Sequence, residues 1–180
     1  METGDIILFN YSHGFLSYFL KYVTHSNYTH VGLILVDPIY IHPCLKGIFV
    51  WQALDDGMTI KPLSDVLKIY KDSKVLYRKL IKNKDLDHQK LREIDEKVRH
   101  STYDFNIIDW IEAGIRVDSN PKKTDRFWCS ALVGYIYTML GILKEDTDWS
   151  ILRPSDFSLD GERLNFINDF KLAPYEKLIS

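Results

Sequence analysis

The chain has 180 residues, of which 46 % are apolar, 13 % aromatic and 27 % charged, a composition that excludes disordered and fibrous classes. Its 23 basic and 25 acidic residues leave a net charge of −2, without the basic excess that grips phosphate backbones, so nucleic acid is not an expected partner. No apolar run approaches the roughly 20 residues that span a bilayer, and Glu2 and Asp5 stand where a signal peptide would be positive. The expectation is therefore one cytoplasmic domain over 1–180 that buries its own core without a disulfide or structural metal.

Gly4-Asp5 followed by Ile6 to Phe9 reads as a turn and a short apolar strand. Residues 14 to 24 carry Phe15, Phe19, Tyr22 and Val23 at helical spacing, with Leu16 and Leu20 widening the stripe. Such a helix packs on a sheet, and its aromatics are also candidates to line a substrate groove. Tyr28 to Val36 is a β-branched, apolar run closed by Asp37-Pro38, which predicts a central strand with His30 at its start. Gly47 to Leu54 and Met58 to Leu63 are strand candidates joined by Asp55-Asp56-Gly57, a hairpin signal, and Lys74 to Leu80 is another strand. Lys82 to His100 is densely charged, with Leu91, Ile94 and Val98 in helical period and Asp85 or Asp87 as N-cap. Residues 115 to 125 read as a polar loop. Arg126 to Leu143 is a second helix with Val133, Ile136, Tyr137 and Leu140 on one face and Gly141 as its C-terminal stop. It is apolar on most faces and should be buried.

Two cysteines cannot make a disulfide framework. Cys129 opens the apolar helix, where unpaired N–H groups and the positive dipole end lower a thiol's pKa, the placement of a nucleophile. A cysteine in an apolar helix also serves simply as a small core residue. A nucleophilic thiol needs an imidazole and a third group to hold the ring. Of the six histidines, at 13, 25, 30, 42, 88 and 100, His30 opens a rigid apolar strand, while His88 and His100 belong to the charged helix. His42-Pro43-Cys44 supplies one imidazole and one thiol, short of the four ligands of a structural zinc site. Cys44 is read as a loop or core thiol, and neither a metal nor a cofactor is expected.

Six segments bear on identity together: Gly4 to Phe9, Tyr28-Thr29-His30-Val31-Gly32-Leu33, Val50 to Leu67, Thr102-Tyr103-Asp104-Phe105, Trp128-Cys129-Ser130-Ala131-Leu132-Val133, and Arg153-Pro154-Ser155-Asp156-Phe157. In this order they resemble the circularly permuted, papain-like NlpC superfamily, in particular its YiiX-like branch, which has members in bacteria and in large DNA viruses such as poxviruses. The resemblance implies an α+β fold, an antiparallel sheet packed on a buried helix that carries the cysteine. It also implies Cys129 as nucleophile and His30 as base, in the chain order opposite to papain. If the source is viral, the implied location is host cytoplasm or virion. The family's polar residue on the following strand, commonly Glu, falls on Gln52 in Val50-Trp51-Gln52-Ala53, and its usual Cys-Ser-Glu becomes Cys129-Ser130-Ala131.

A Gln oxygen can accept the His Nδ1–H and fix the tautomer without stabilising an imidazolium. The implied activity is a cysteine hydrolase cleaving an amide, peptide or ester bond through a Cys129 thioester, with His30 as base and Gln52 orienting it. The Cys129 N–H is the expected oxyanion donor. Tyr103, Tyr28 and Phe15 are the expected substrate-binding residues; Tyr103 reads equally as a packing tyrosine. Two alternatives stand beside this one. The lecithin retinol acyltransferase group shares the fold and would act on lipid, with peripheral membrane contact, and a catalytically weak binding or virulence module would keep the pocket without turnover.

Overall fold

The computed structural model describes residues 1–10, 28–54, 57–99, 102–103, 126–161 and 163–179, with only the backbone at 102–103 and 126–127. The helix expected at 14 to 24, Phe15 within it, and the loop at 115 to 125 lie outside these. The architecture is mixed α+β with a mostly antiparallel sheet. In chain order the strands are β1 (Ile6–Asn10), β2 (His30–Val36), β3 (Ile48–Leu54), β4 (Gly57–Pro62), β5 (Lys74–Arg78), β6 (Leu80–Ile81), β7 (Thr102–Tyr103), β8 (Arg126–Phe127), β9 (Lys171–Leu172) and β10 (Lys177–Leu178). The helices are α1 (Leu63–Ile69), α2 (His88–Val98) and α3 (Cys129–Met139), with 3₁₀ turns at Trp149–Ile151 and Pro154–Phe157.

Six strands form the main sheet in the order β10-β5-β1-β2-β3-β4, every adjacent pair antiparallel. Apolar side chains occupy both faces of the central strands, which are therefore covered on both sides. One face carries Leu8, Val31, Leu33, Phe49 and Trp51 in the larger core with Cys129, Leu132 and Ile136 of α3. The other carries Ile7, Phe9, Ile34 and Val50 with Val66 of α1. Gly57 closes the β3–β4 hairpin at φ 106°, a backbone region that glycine enters without strain.

Several expected elements differ in extent. The strand expected at 74 to 80 splits: β5 stays in the main sheet, while Leu80 and Ile81 pair with Leu172 and Lys171. Residues 63 to 69 form α1 instead of continuing an extended run. Pro62 supplies its N-cap with no side-chain hydrogen bond and Val66 is its one buried residue, while Leu63, Leu67 and Tyr70 share its helical spacing and pack on the same core. The charged helix is confined to α2, capped by Asp87, whose carboxylate accepts the Gln89 and Lys90 N–H groups. The apolar helix begins at Cys129, three residues later than expected, because Arg126 and Phe127 pair in parallel with Thr102 and Tyr103.

Arg78 ties the sheet to the C-terminal segment. Its buried guanidinium donates to the carbonyls of Ala173, Phe157 and Ser158. At the other end of α3, the Tyr137 hydroxyl donates to the Gly4 carbonyl at 2.6 Å.

Candidate active site

Burial of Tyr135, Ile136 and Tyr137 pulls α3 onto β2 and β3 and brings its first residue to the sheet. Trp128, the N-cap, offers no side-chain hydrogen bond to the first turn. Cys129 is 5 % exposed, and the backbone at Val31, Ser130 and its own residue acts on the thiol to favour its charged form. Ser130 is held down by a 2.6 Å hydrogen bond from its hydroxyl to the Leu152 carbonyl, and Ala131 is buried beside it.

The helix terminus was expected to lower the thiol's pKa. Burial pushes it up to about 11 instead, outweighing the backbone at those three residues. Desolvation of the charged form exceeds what backbone dipoles return at a fully enclosed sulfur.

His30 and Gln52 meet. The imidazole Nε2 lies 2.8 Å from Gln52 Oε1, and both side chains are buried. The bond uses the distal ring nitrogen, where Nδ1 was expected. The reason is register: β2 pairs with β3 only from Leu33↔Trp51 onward, so Gln52 reaches the ring across an unpaired stretch and meets its far edge. With Gln52 Oε1 accepting from Nε2–H, the lone pair of the neutral ring resides on Nδ1. Burial pulls the imidazole down to about 4, against a smaller upward effect of the Gln52 bond. Thiol and ring therefore both rest neutral near pH 7.

Aromatic rings fix the imidazole. It stacks on Tyr70 at 5.9 Å and 11°, and its centroid is 5.3 Å from that of Phe9. Neither residue was singled out in the sequence, although Tyr70 completes the helical spacing of Leu63, Val66 and Leu67 and Phe9 lies opposite His30 once β1 is paired with β2.

Phe9 belongs to the sheet face opposite the one that holds Cys129. The two candidate groups thus approach the same point of β2 from its two sides, the sulfur at Val31 and the ring on the preceding residue. Among the described residues no hydrogen bond joins the Cys129 thiol to the His30 ring. Gln52 Nε2 is buried without a partner among the described residues.

Of the expected substrate-binding residues, Tyr28 donates its hydroxyl to Glu176 at 2.7 Å; burial, then Glu176, raises its pKa. Tyr103 lies on β7, whose backbone packs against β4. Phe15 lies outside the described residues. Cys44 is exposed, and its N–H donates to His42 Nδ1 at 3.3 Å. Among the described residues no three His, Cys, Asp or Glu side chains are grouped to hold a metal ion, and no helix is long and apolar enough to cross a membrane.

No protein-family model and no curated protein matches the chain. Among solved structures it is similar to yiiX from Escherichia coli O157:H7, described as a metalloprotein. Identity is 21 %, the TM-score is 0.46, and the match covers 77 % of this chain. The chain spans 66 % of that chain's length.

Proposed function

We propose that the chain is a cysteine hydrolase of amide or ester bonds, with a permuted papain-like arrangement of Cys129, His30 and Gln52. The observation that carries this reading is the buried 2.8 Å hydrogen bond between His30 and Gln52, made on β2, the strand against which α3 packs from Cys129 onward.

Because both groups rest neutral, the thiol is activated by general-base transfer in the encounter with substrate. His30 Nδ1 takes the thiol proton as sulfur attacks the carbonyl carbon. The imidazolium returns that proton to the leaving nitrogen or oxygen as its bond to carbon breaks, leaving a thioester. Water then attacks the thioester with His30 again as base, and the acid departs. The step requires the start of β2 to turn at His30, because the ring lies with Phe9 and Tyr70 on the sheet face opposite Cys129 and rotation about its own side-chain bonds does not carry Nδ1 to the sulfur. Gln52, a positioning residue, keeps the proton on Nε2 meanwhile. The Cys129 N–H is the oxyanion donor.

A second reading is a papain-like binding module without turnover. It is favoured by the missing thiol–imidazole hydrogen bond and by the thiol's raised pKa. Acyl trapping separates the two. A Cys44→Ser variant incubated with p-nitrophenyl acetate and mapped by mass spectrometry should carry acetyl on Cys129 early in the reaction. Release of nitrophenol with Cys129 unmodified at every time point, or no release at all, rejects the hydrolase.

A further inference from the structure

A cavity opens on the same side of the sheet as Cys129. It encloses about 210 Å³, with Trp51 of β3 and Met58 and Ile60 of β4 as its floor and Ile41 and Leu45 as a wall. The floor is continuous by register, since Trp51 pairs with Ile60 and Ala53 with Met58. Trp51 also pairs with Leu33, two residues beyond Val31, whose backbone acts on the Cys129 thiol. At about 4.8 Å between strands, the floor begins roughly one strand away from the thiol and extends one strand further.

Two lining groups have a polar atom without a partner among the described residues, Thr59 at its buried Oγ1 and Asp95 at Oδ1. Asp95 of α2 is 4 % exposed and lines this cavity. Both Arg99 contacts, from Nε at 3.0 Å and from Nη2, go to its Oδ2, and Oδ1 accepts nothing among the described residues. The charge is already balanced, because Arg99 neutralises Asp95. His42 at the rim accepts the Cys44 N–H on Nδ1 and adds no fixed cation. A cationic donor would unbalance the cavity.

We propose that this cavity binds a neutral, apolar group that carries one hydrogen-bond donor, held by the apolar floor and by Asp95 Oδ1. An amide N–H flanked by a short aliphatic chain has this chemistry, and an ester of the same shape lacks the donor. The volume equals the liquid share of about seven water molecules, which suits a fragment of about eight heavy atoms. Occupancy of the cavity is independent of catalysis; its role as a substrate subsite, which would favour amide over ester substrates, rests on the hydrolase reading.

The test compares N-methylpentanamide with methyl pentanoate, which differ by one donor, titrated into the full-length Cys129→Ala variant and followed by the Trp51 indole N–H resonance. The amide should saturate the shift at a concentration at least about tenfold lower than the ester, a preference worth about 1.4 kcal/mol. In Asp95→Asn, where the acceptor is weakened, the ratio should fall at least threefold. Equal affinities, preference for the ester, or no shift with either fragment overturns the proposal. Because this variant has no nucleophile, those outcomes leave the Cys129 acylation test unaffected, and failure of that test leaves fragment binding unaffected.

Discussion

Gln52 holds the imidazole of His30 by its distal nitrogen, Oε1 to Nε2 at 2.8 Å, in a site where neither side chain is more than 8 % exposed. An amide in this place fixes the tautomer and leaves the ring uncharged. A carboxylate would do otherwise, since an adjacent negative charge favours the imidazolium. Gln52→Glu should therefore move the acidic limb of the Cys129 acylation profile to higher pH, by at least about one unit. The check is the acylation rate between pH 4 and 9 in both proteins. Superimposable limbs would mean that His30 does not govern the thiol.

Stability should depend on pH through His30 and Cys129. The native imidazole, at about 4, lies below its ordinary value of 6.5. Below pH 6.5 the unfolded chain binds the proton more readily, so stability falls as pH drops from 6.5 through 4 and levels off beneath. The full effect is about 3 kcal/mol. Cys129 has the opposite sense: its native thiol keeps its proton up to about 11 against 9.0, so stability is lost as pH rises from 9 through 11. Urea unfolding at a series of pH values, comparing the chain with His30→Gln and Cys129→Ala, reads each term as the part of the pH dependence that the substitution removes.

Arg78 is expected to matter more than any surface ion pair. Its guanidinium satisfies three buried carbonyls, of Phe157, Ser158 and Ala173, which Arg78→Met would leave without a donor. The expected loss is at least about 2 kcal/mol by urea unfolding. By contrast, Arg92→Ala on α2, which removes an exposed i,i+4 pair with Glu96, should change stability by less than about 0.5 kcal/mol.

Gly134 sets helix propensity against packing. In an isolated helix, alanine is better than glycine by about 1 kcal/mol. Here an added Cβ would lie 2.5 Å from Leu152 Cδ1 and 3.0 Å from Trp149 Cβ. Leu152 can yield, but Trp149 is contacted at its stem, and relief means shifting α3 away from the 149–151 turn. Packing should win, so Gly134→Ala lowers the thermal midpoint by several degrees, an overpacking effect of about 1–3 kcal/mol.

Much of the fold was legible in local patterns. The apolar run from Ile6 to Phe9, the closed run from His30 to Val36, the Asp-Gly hairpin and the Asp87 cap each act over a few residues, and the corresponding strands and α2 form where expected. What was not legible depends on distant partners. α1 is the exception, since Leu63, Val66, Leu67 and Tyr70 carry a helical period that was passed over. The short strands β6 and β9 exist because Leu80 meets Leu172 across more than ninety residues of chain. At the candidate site, Cys129 and His30 could be singled out from residue type and position. The side of β2 on which each falls, the use of Nε2, and the upward pKa of the thiol come from register and enclosure. A terminal dipole argument sees one helix end; burial sums every element packed over it.

The central claim is that His30 serves Cys129 as its base, and the most direct measurement is the alkylation rate of Cys129 by iodoacetamide at pH 7 in a Cys44→Ser background, with and without His30→Gln. Positioned base catalysis contributes about 10²–10⁴-fold. The account predicts that His30→Gln slows Cys129 alkylation at least about a hundredfold while the Gln variant unfolds cooperatively at pH 7. Equal rates in the two proteins would show that the imidazole never reaches the sulfur, and would contradict it.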